Sequence, residues 1–232
     1  MEDEDKNSGK DRNCKLAPTE RMEDKIKQCE EISVKLYHIF EENKVYEDIE
    51  CDIDLLFEYA FDKNKNIWQY CADKLYWLAT ISTDIQKRIL EIMRMGRTNE
   101  KFILTCSIST SLNRDFIAEI VRLAILDKSK KVKTFGAQQA DRYNLYEFAD
   151  LIKEESEKVE DRELKERLML DYIYLTRGYI IEKSDSEYGD WLKFRDGSER
   201  LPREIGTEDI HKYVITKYKN KPRIEDLHYR DK

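Results

Sequence analysis

Proline is almost missing from this 232-residue chain: only Pro18, Pro202 and Pro222 occur. A proline inside a helix costs roughly 3 kcal/mol, so the whole span between Pro18 and Pro202 is free to be helical. Glycine is scarce as well, at seven, and no GxGxxG, GxxxxGK[ST] or GxSxG is present. That excludes the common dinucleotide, phosphate-loop and nucleophile-elbow signatures. Histidine is limited to three. His38 follows Tyr37 late in a helical stretch, and His211 and His228 lie 17 residues apart with no ligand partner at zinc spacing. The five cysteines are odd in number and form no CxxC, which argues for a reducing, cytoplasmic setting. No run approaches the ~18 apolar residues of a membrane span, and the opening MEDEDKNSGKDRNCK has no apolar core of the signal-peptide kind. The expectation is a protein without membrane contact, metal, cofactor or catalytic residues, and not an enzyme.

Charge is abundant. Charged side chains make up 39% and hydrophobic ones 40%, a balance that still leaves enough apolar material for a core. The net charge of −7 is uneven: residues 1–54 carry −8, 55–146 carry +5 and 147–232 carry −4. Adjacent acids such as Glu30-Glu31, Glu41-Glu42 and Glu154-Glu155 point apart on a helix and make no general acid–base pair. They read as solvated faces.

Periodicity organises the rest. From Ile67, small or apolar residues recur at Cys71, Ala72, Leu75 and Leu78. The ladder returns from Val132 through Gly136, Ala137, Ala140 and Tyr143, and again from Leu164 through Leu168, Met169, Tyr172 and Leu175. Gly136 in that ladder predicts close helix packing. Residues 1–18 are polar and are expected to be disordered. A helix is expected from Thr19 to about Asn43, with Thr19 as its cap, followed by Asp52 or Asp54 as the next cap. Four helical pairs follow: 54–61 with 67–80, 83–95 with 100–112, 113–126 with 130–143, and 145–157 with 162–176, closed by Gly178. Their second helices open at Ile67, Phe102, Val132 and Leu164, at intervals of 35, 30 and 32 residues. Such a period points to an array whose units bury their stripes against neighbours. Pair two fits least well, because Thr110 and Asn113 replace larger residues. The domain division is then a tail at 1–18, a helical domain at 19–182 and a C-terminal segment at 183–232. In that segment Asp196-Gly197 is a turn signal beside Trp191 to Phe194, pointing to a short hairpin or an irregular loop, and Thr207 precedes a short amphipathic helix.

The turn Asp62–Asn66 with IWQYCADKLYWLA, and DKSKKVKTFGAQQADRY at 127–143, resemble the second half of a HEAT-type repeat of the armadillo/HEAT group. The likeness covers roughly residues 54–178. It departs in its period, which is shorter than the about 40–47 residues usual for such repeats. The arginine expected after the β-branched residue is replaced by Trp68 and Lys133. The resemblance implies an all-α fold: a short right-handed α-solenoid of about four hairpins with an N-terminal capping helix. It brings no catalytic residues with it.

Fourteen tyrosines and three tryptophans supply the residue types that dominate protein interfaces. Off the buried ladder lie Trp68, Gln69, Asp73 and Tyr76 on the Ile67 helix. The matching positions are Lys133, Gln138 and Asp141 on the Val132 helix, and Tyr174 and Arg177 on the Leu164 helix. These nine are the candidate partner-binding residues. The expected function is protein–protein interaction, and in its specific form an inhibitor or immunity protein for a bacterial toxin. The alternative is a nucleic-acid-binding solenoid, perhaps a relative of alkylated-base DNA glycosylases. Its basis is the surplus between 87 and 133, with 11 basic against 5 acidic residues including Lys128, Lys130, Lys131 and Lys133. Against it stands a sequence pI near 5.3, where nucleic-acid domains usually exceed about 9.

Overall fold

The computed structural model describes residues 21–42, 49–182, 191–194 and 199–200. The chain forms two compact units, Met1–Arg88 and Ile89–Lys232, with the division inside one helix. The disordered tail, the Thr19 cap and the Thr207 helix expected from the sequence lie outside the described residues.

The first unit holds α1 (Met22–Glu41), α2 (Ile49–Ala60), α3 (Lys65–Ala79) and the opening of α4 (Thr83–Met95). α1 buries Cys29, Ile32, Ser33, Leu36 and Ile39, the three-and-four spacing of a one-sided helix. Val34, an apolar residue of the same helix, is 40% exposed because it falls between those positions. α2 begins earlier than expected, at Ile49. Asp52 is therefore buried in its first turn, where it accepts from Lys35 Nζ at 2.5 Å, and is not a cap. Asn64 Oδ1 accepts from the Asn66 N–H at 2.9 Å and starts α3. The Ile67 ladder is buried along its length. α3 packs against both α1 and α2.

The second unit continues with α5 (Thr98–Cys106), α6 (Arg114–Ile125), α7 (Lys130–Arg142), a 3-10 turn (Tyr146–Phe148), α8 (Ala149–Lys158) and α9 (Arg162–Arg177). α6 and α7 form one antiparallel pair, and α8 and α9 another. α7 also touches α5 on one flank and α9 on the other, so these three helices lie side by side. The expected tight packing at Gly136 is present: a Cβ there would sit 2.8 Å from Ala124 Cβ and from the Ile125 nitrogen. Asn113 accepts from the Asp115 N–H at 2.7 Å and Asp161 from the Leu164 N–H at 2.8 Å, capping α6 and α9. α5 ends six residues before the expected Leu112. The Ser107–Ser111 stretch explains this, since serine and threonine side chains compete for backbone groups, and Ser109 Oγ accepts from the Ser111 N–H.

α9 ends at Gly178, whose φ of 86° is the left-handed value that glycine adopts freely. Three short strands follow: β1 (Tyr179–Glu182), β2 (Trp191–Phe194) and β3 (Glu199–Arg200), antiparallel in that order. β2 pairs with β3, and their connection, where the sequence carries a turn signal, lies outside the described residues. β1 is an addition to an otherwise helical fold. Among the described residues no helix is long and apolar enough to cross a membrane.

Candidate binding faces

α7 divides its surface between a buried and an open side. Val132, Gly136, Ala137, Gln139 and Ala140 are buried, while Lys131, Thr134, Phe135, Gln138 and Arg142 keep exposed or half-exposed surface. The open side carries a ring cluster shared with α5. Phe102 meets Phe135 edge-on, with centroids 4.9 Å apart at 86°, and Lys131 Nζ lies 3.3 Å from the Phe102 centroid. Such ring pairs and cation–ring contacts hold side chains in place at a surface.

Two cavities flank this cluster. One, of about 780 Å³, runs between α7 and α9 past Lys131, Thr134, Phe135, Gln138, Arg167 and Leu170. The other, of about 400 Å³, is lined by Cys106, Phe135, Gln138, Gln139, Asp141 and Arg142. Burial pushes the Cys106 thiol up to about 12, against a smaller opposing pull from Lys131. At neutral pH it is a protonated, weakly nucleophilic group.

The first unit carries a comparable arrangement. Tyr37 on α1 stacks flat on Trp77 of α3, with centroids 4.6 Å apart at 2°, and His38 meets Tyr37 edge-on at 5.9 Å. Lys74 Nζ lies 5.5 Å from the Trp77 centroid and 5.3 Å from that of Tyr70. Its ammonium pairs with Glu30 at 2.8 Å, and Tyr70 donates its hydroxyl to the same carboxylate. Trp77 remains 36% exposed.

The nine residues singled out from sequence divide. Gln69 and Asp73 are exposed on α3 and Trp68 is half-buried. Gln138 and Asp141 line the smaller cavity. Three do not face solvent. Tyr76 is fully buried and Tyr174 is 7% exposed, because the covered arc of each helix is wider than the ladder that marks its centre. Lys133 is also buried: it donates to Glu155 of α8, which Lys158 Nζ reaches at 2.9 Å. Burial alone would raise the Glu155 carboxyl, but these two ammonium groups outweigh it and lower it. The Arg177 side chain lies outside the described residues. Trp77 and Phe135 were missed as surface candidates, their signal being an aromatic beside a ladder position; Phe102 was placed on the ladder and Lys131 in the basic surplus.

The basic surplus of the middle region is largely matched in place. Lys87, Arg88, Arg94, Lys101, Arg114, Arg122, Lys130 and Lys133 each lie within salt-bridge distance of a carboxylate. Glu119, for example, is held below the usual carboxylate range, first by its hydrogen bond from Arg122 and then by Arg94. Among the described residues no group of three or more histidine, cysteine, aspartate or glutamate side chains is placed to hold a metal ion. Comparison with family models, with curated protein sequences and with solved structures found no match.

Proposed function

We propose that this chain is a non-enzymatic, HEAT-like helical repeat protein that binds a protein partner through the open sides of its second-position helices. One observation carries the reading. In each unit, an aromatic pair bridges two neighbouring helices at the surface beneath a lysine: Tyr37 and Trp77 with Lys74, and Phe102 and Phe135 with Lys131. Half-exposed aromatic anchors fixed by their neighbours are the type of group that dominates interface energetics. The side-by-side lie of α5, α7 and α9 supports the solenoid form of the fold. The matched charges of the middle region favour a protein over a phosphate backbone, which needs uncommitted lysine and arginine. The inhibitor or immunity form of the reading rests on the small, acidic chain alone.

The test is affinity capture from the native host, with Trp77→Ala and Phe135→Ala variants alongside. Wild-type chain retains a stoichiometric protein, and at least one variant weakens retention by more than tenfold, the range of an anchor residue. Capture of no protein, or strong retention of duplex DNA at physiological salt instead, overturns the reading.

A further inference from the structure

The groove between α7 and α9 sets uncommitted positive charge beside an apolar seat. An ion pair between Lys130 and Asp161 ties the starts of the two packed helices together, so they run alongside each other from a common end. Lys131 and Phe135 stand four apart on α7, and Glu163, Arg167 and Leu170 stand four and three apart on α9. Those spacings put each set on one helix face, and all five residues line the same cavity of about 780 Å³. Each keeps accessible surface: Lys131, Glu163 and Arg167 are exposed, and Phe135 and Leu170 are half-buried. The Phe135 ring is held by its edge-on contact with Phe102.

The charges of the wall sort into two groups. Lys130 and Asp161 pair with each other, and Asp161 also caps α9. Glu166 pairs with Arg162 at 2.7 Å. Lys131 and Arg167, unlike most basic side chains of this unit, have no carboxylate within salt-bridge distance among the described residues; Lys131 rests on the Phe102 ring instead. Glu163 is the one acid of the wall left over on the same terms. Two cations against one anion remain to meet an occupant.

That remainder selects the occupant. A cation meets like charge at Lys131 and Arg167. A wholly apolar group covers both and pairs neither, and desolvating an unpaired charge is costly. A nucleic-acid strand brings a charge with every nucleotide, finds only two cations and is opposed by Glu163. A carboxylate beside an apolar side chain suits both parts of the groove. The guanidinium fork matches a carboxylate with two parallel hydrogen bonds, and the apolar group covers Phe135 and Leu170.

We infer that this groove receives an acidic segment of the protein partner, with an aspartate or glutamate at Arg167 and Lys131 and a neighbouring apolar side chain against Phe135 and Leu170. The inference rests on the protein-binding reading and specifies the chemistry of the partner.

The experiment uses the full chain labelled for NMR and three small probes: 3-phenylpropionate, its neutral amide and acetate. Millimolar 3-phenylpropionate is expected to shift the signals of Phe135, Arg167 and Leu170. It binds about threefold more tightly than the amide, the range of an exposed ion pair, and more tightly than acetate, which lacks the ring. The preference over the amide shrinks in about 0.5 M salt. Arg167→Gln reduces it and Glu163→Gln enlarges it, while Lys165→Gln, at an exposed position of α9 outside the groove, leaves it unchanged. Equal binding of acid and amide, a preference that Arg167→Gln leaves intact, shifts confined to other residues, or no shift at all overturns the inference. Capture of a host protein that Arg167→Gln leaves unchanged sinks the inference but spares the protein-binding reading. Probe discrimination without any captured protein sinks that reading and leaves the ligand chemistry of the groove standing.

Discussion

Removing Lys133 is the sharpest test of how the second unit is held together. Its ammonium is buried beside the Glu155 carboxylate, with side-chain exposures of 8% and 11%. Breaking a buried pair from one side is expensive because the remaining charge stays desolvated, typically about 3–5 kcal/mol. Lys158 remains on the other oxygen of Glu155 at 2.9 Å, so Lys133→Met should cost less than that range, about 2–3 kcal/mol. For a chain of this size that corresponds to a fall in Tm of about 4–12 °C. Replacing both partners, Lys133→Met with Glu155→Leu, should recover most of the loss, since apolar substitutes for buried ion pairs are often neutral. Acid adds a second readout. The folded-state value of Glu155 lies below its ordinary one. Its contribution is therefore complete above the ordinary glutamate value and fades as pH falls through the lower, folded value. The wild-type chain should lose this advantage in acid, and the double variant should have none to lose. Circular dichroism followed through heating and through urea reads both. A single variant as stable as wild type, or a double variant no better than the single, refutes the reasoning.

Gly136→Ala should destabilise by about 1–3 kcal/mol through overpacking, because the new methyl meets Ala124 and the Ile125 backbone at 2.8 Å. The helix-propensity gain of about 1 kcal/mol offsets part of that, leaving a net loss of up to about 2 kcal/mol in a urea titration. Asn113→Ala should cost about 1 kcal/mol by removing the cap on α6, and Asn113→Asp should restore most of it. Alkylation of Cys106 by iodoacetamide, followed by peptide mass spectrometry, should be slow at pH 7.5 and still accelerate above pH 10; a rate that levels off by pH 9.5 contradicts the assignment. Cys29 and Cys71 are fully buried. They should resist the reagent until the chain is unfolded in guanidinium.

Much of the helical plan was legible because a one-sided helix writes its buried centre into the chain every three to four residues. The α3, α7 and α9 ladders, the close approach at Gly136 and the stop at Gly178 all follow from local spacing and backbone freedom. The open faces were less legible. A ladder marks the centre of a covered arc but not its width, which depends on how closely the neighbouring helices approach. Tyr76 and Tyr174 lie at the edges of such arcs and are covered. Lys133 is covered for a different reason, a carboxylate 22 residues away on α8, and nothing near Lys133 in sequence signals it. Phe102 and Phe135 failed in the opposite sense: an aromatic in a helix reads as core, yet these two rest on each other at the surface.

The local matching of the basic side chains bears on the speed of encounter. Lysines and arginines tied to carboxylates a few ångströms away cancel beyond a Debye length of about 8 Å in physiological salt, so the middle of the chain projects little field of its own. Under the protein-binding proposal this region would add little steering to an encounter whose unsteered rate is about 10⁵–10⁶ M⁻¹ s⁻¹. Residence time, governed by how readily aromatic rings are withdrawn from their seats, would then distinguish the right partner from the wrong one.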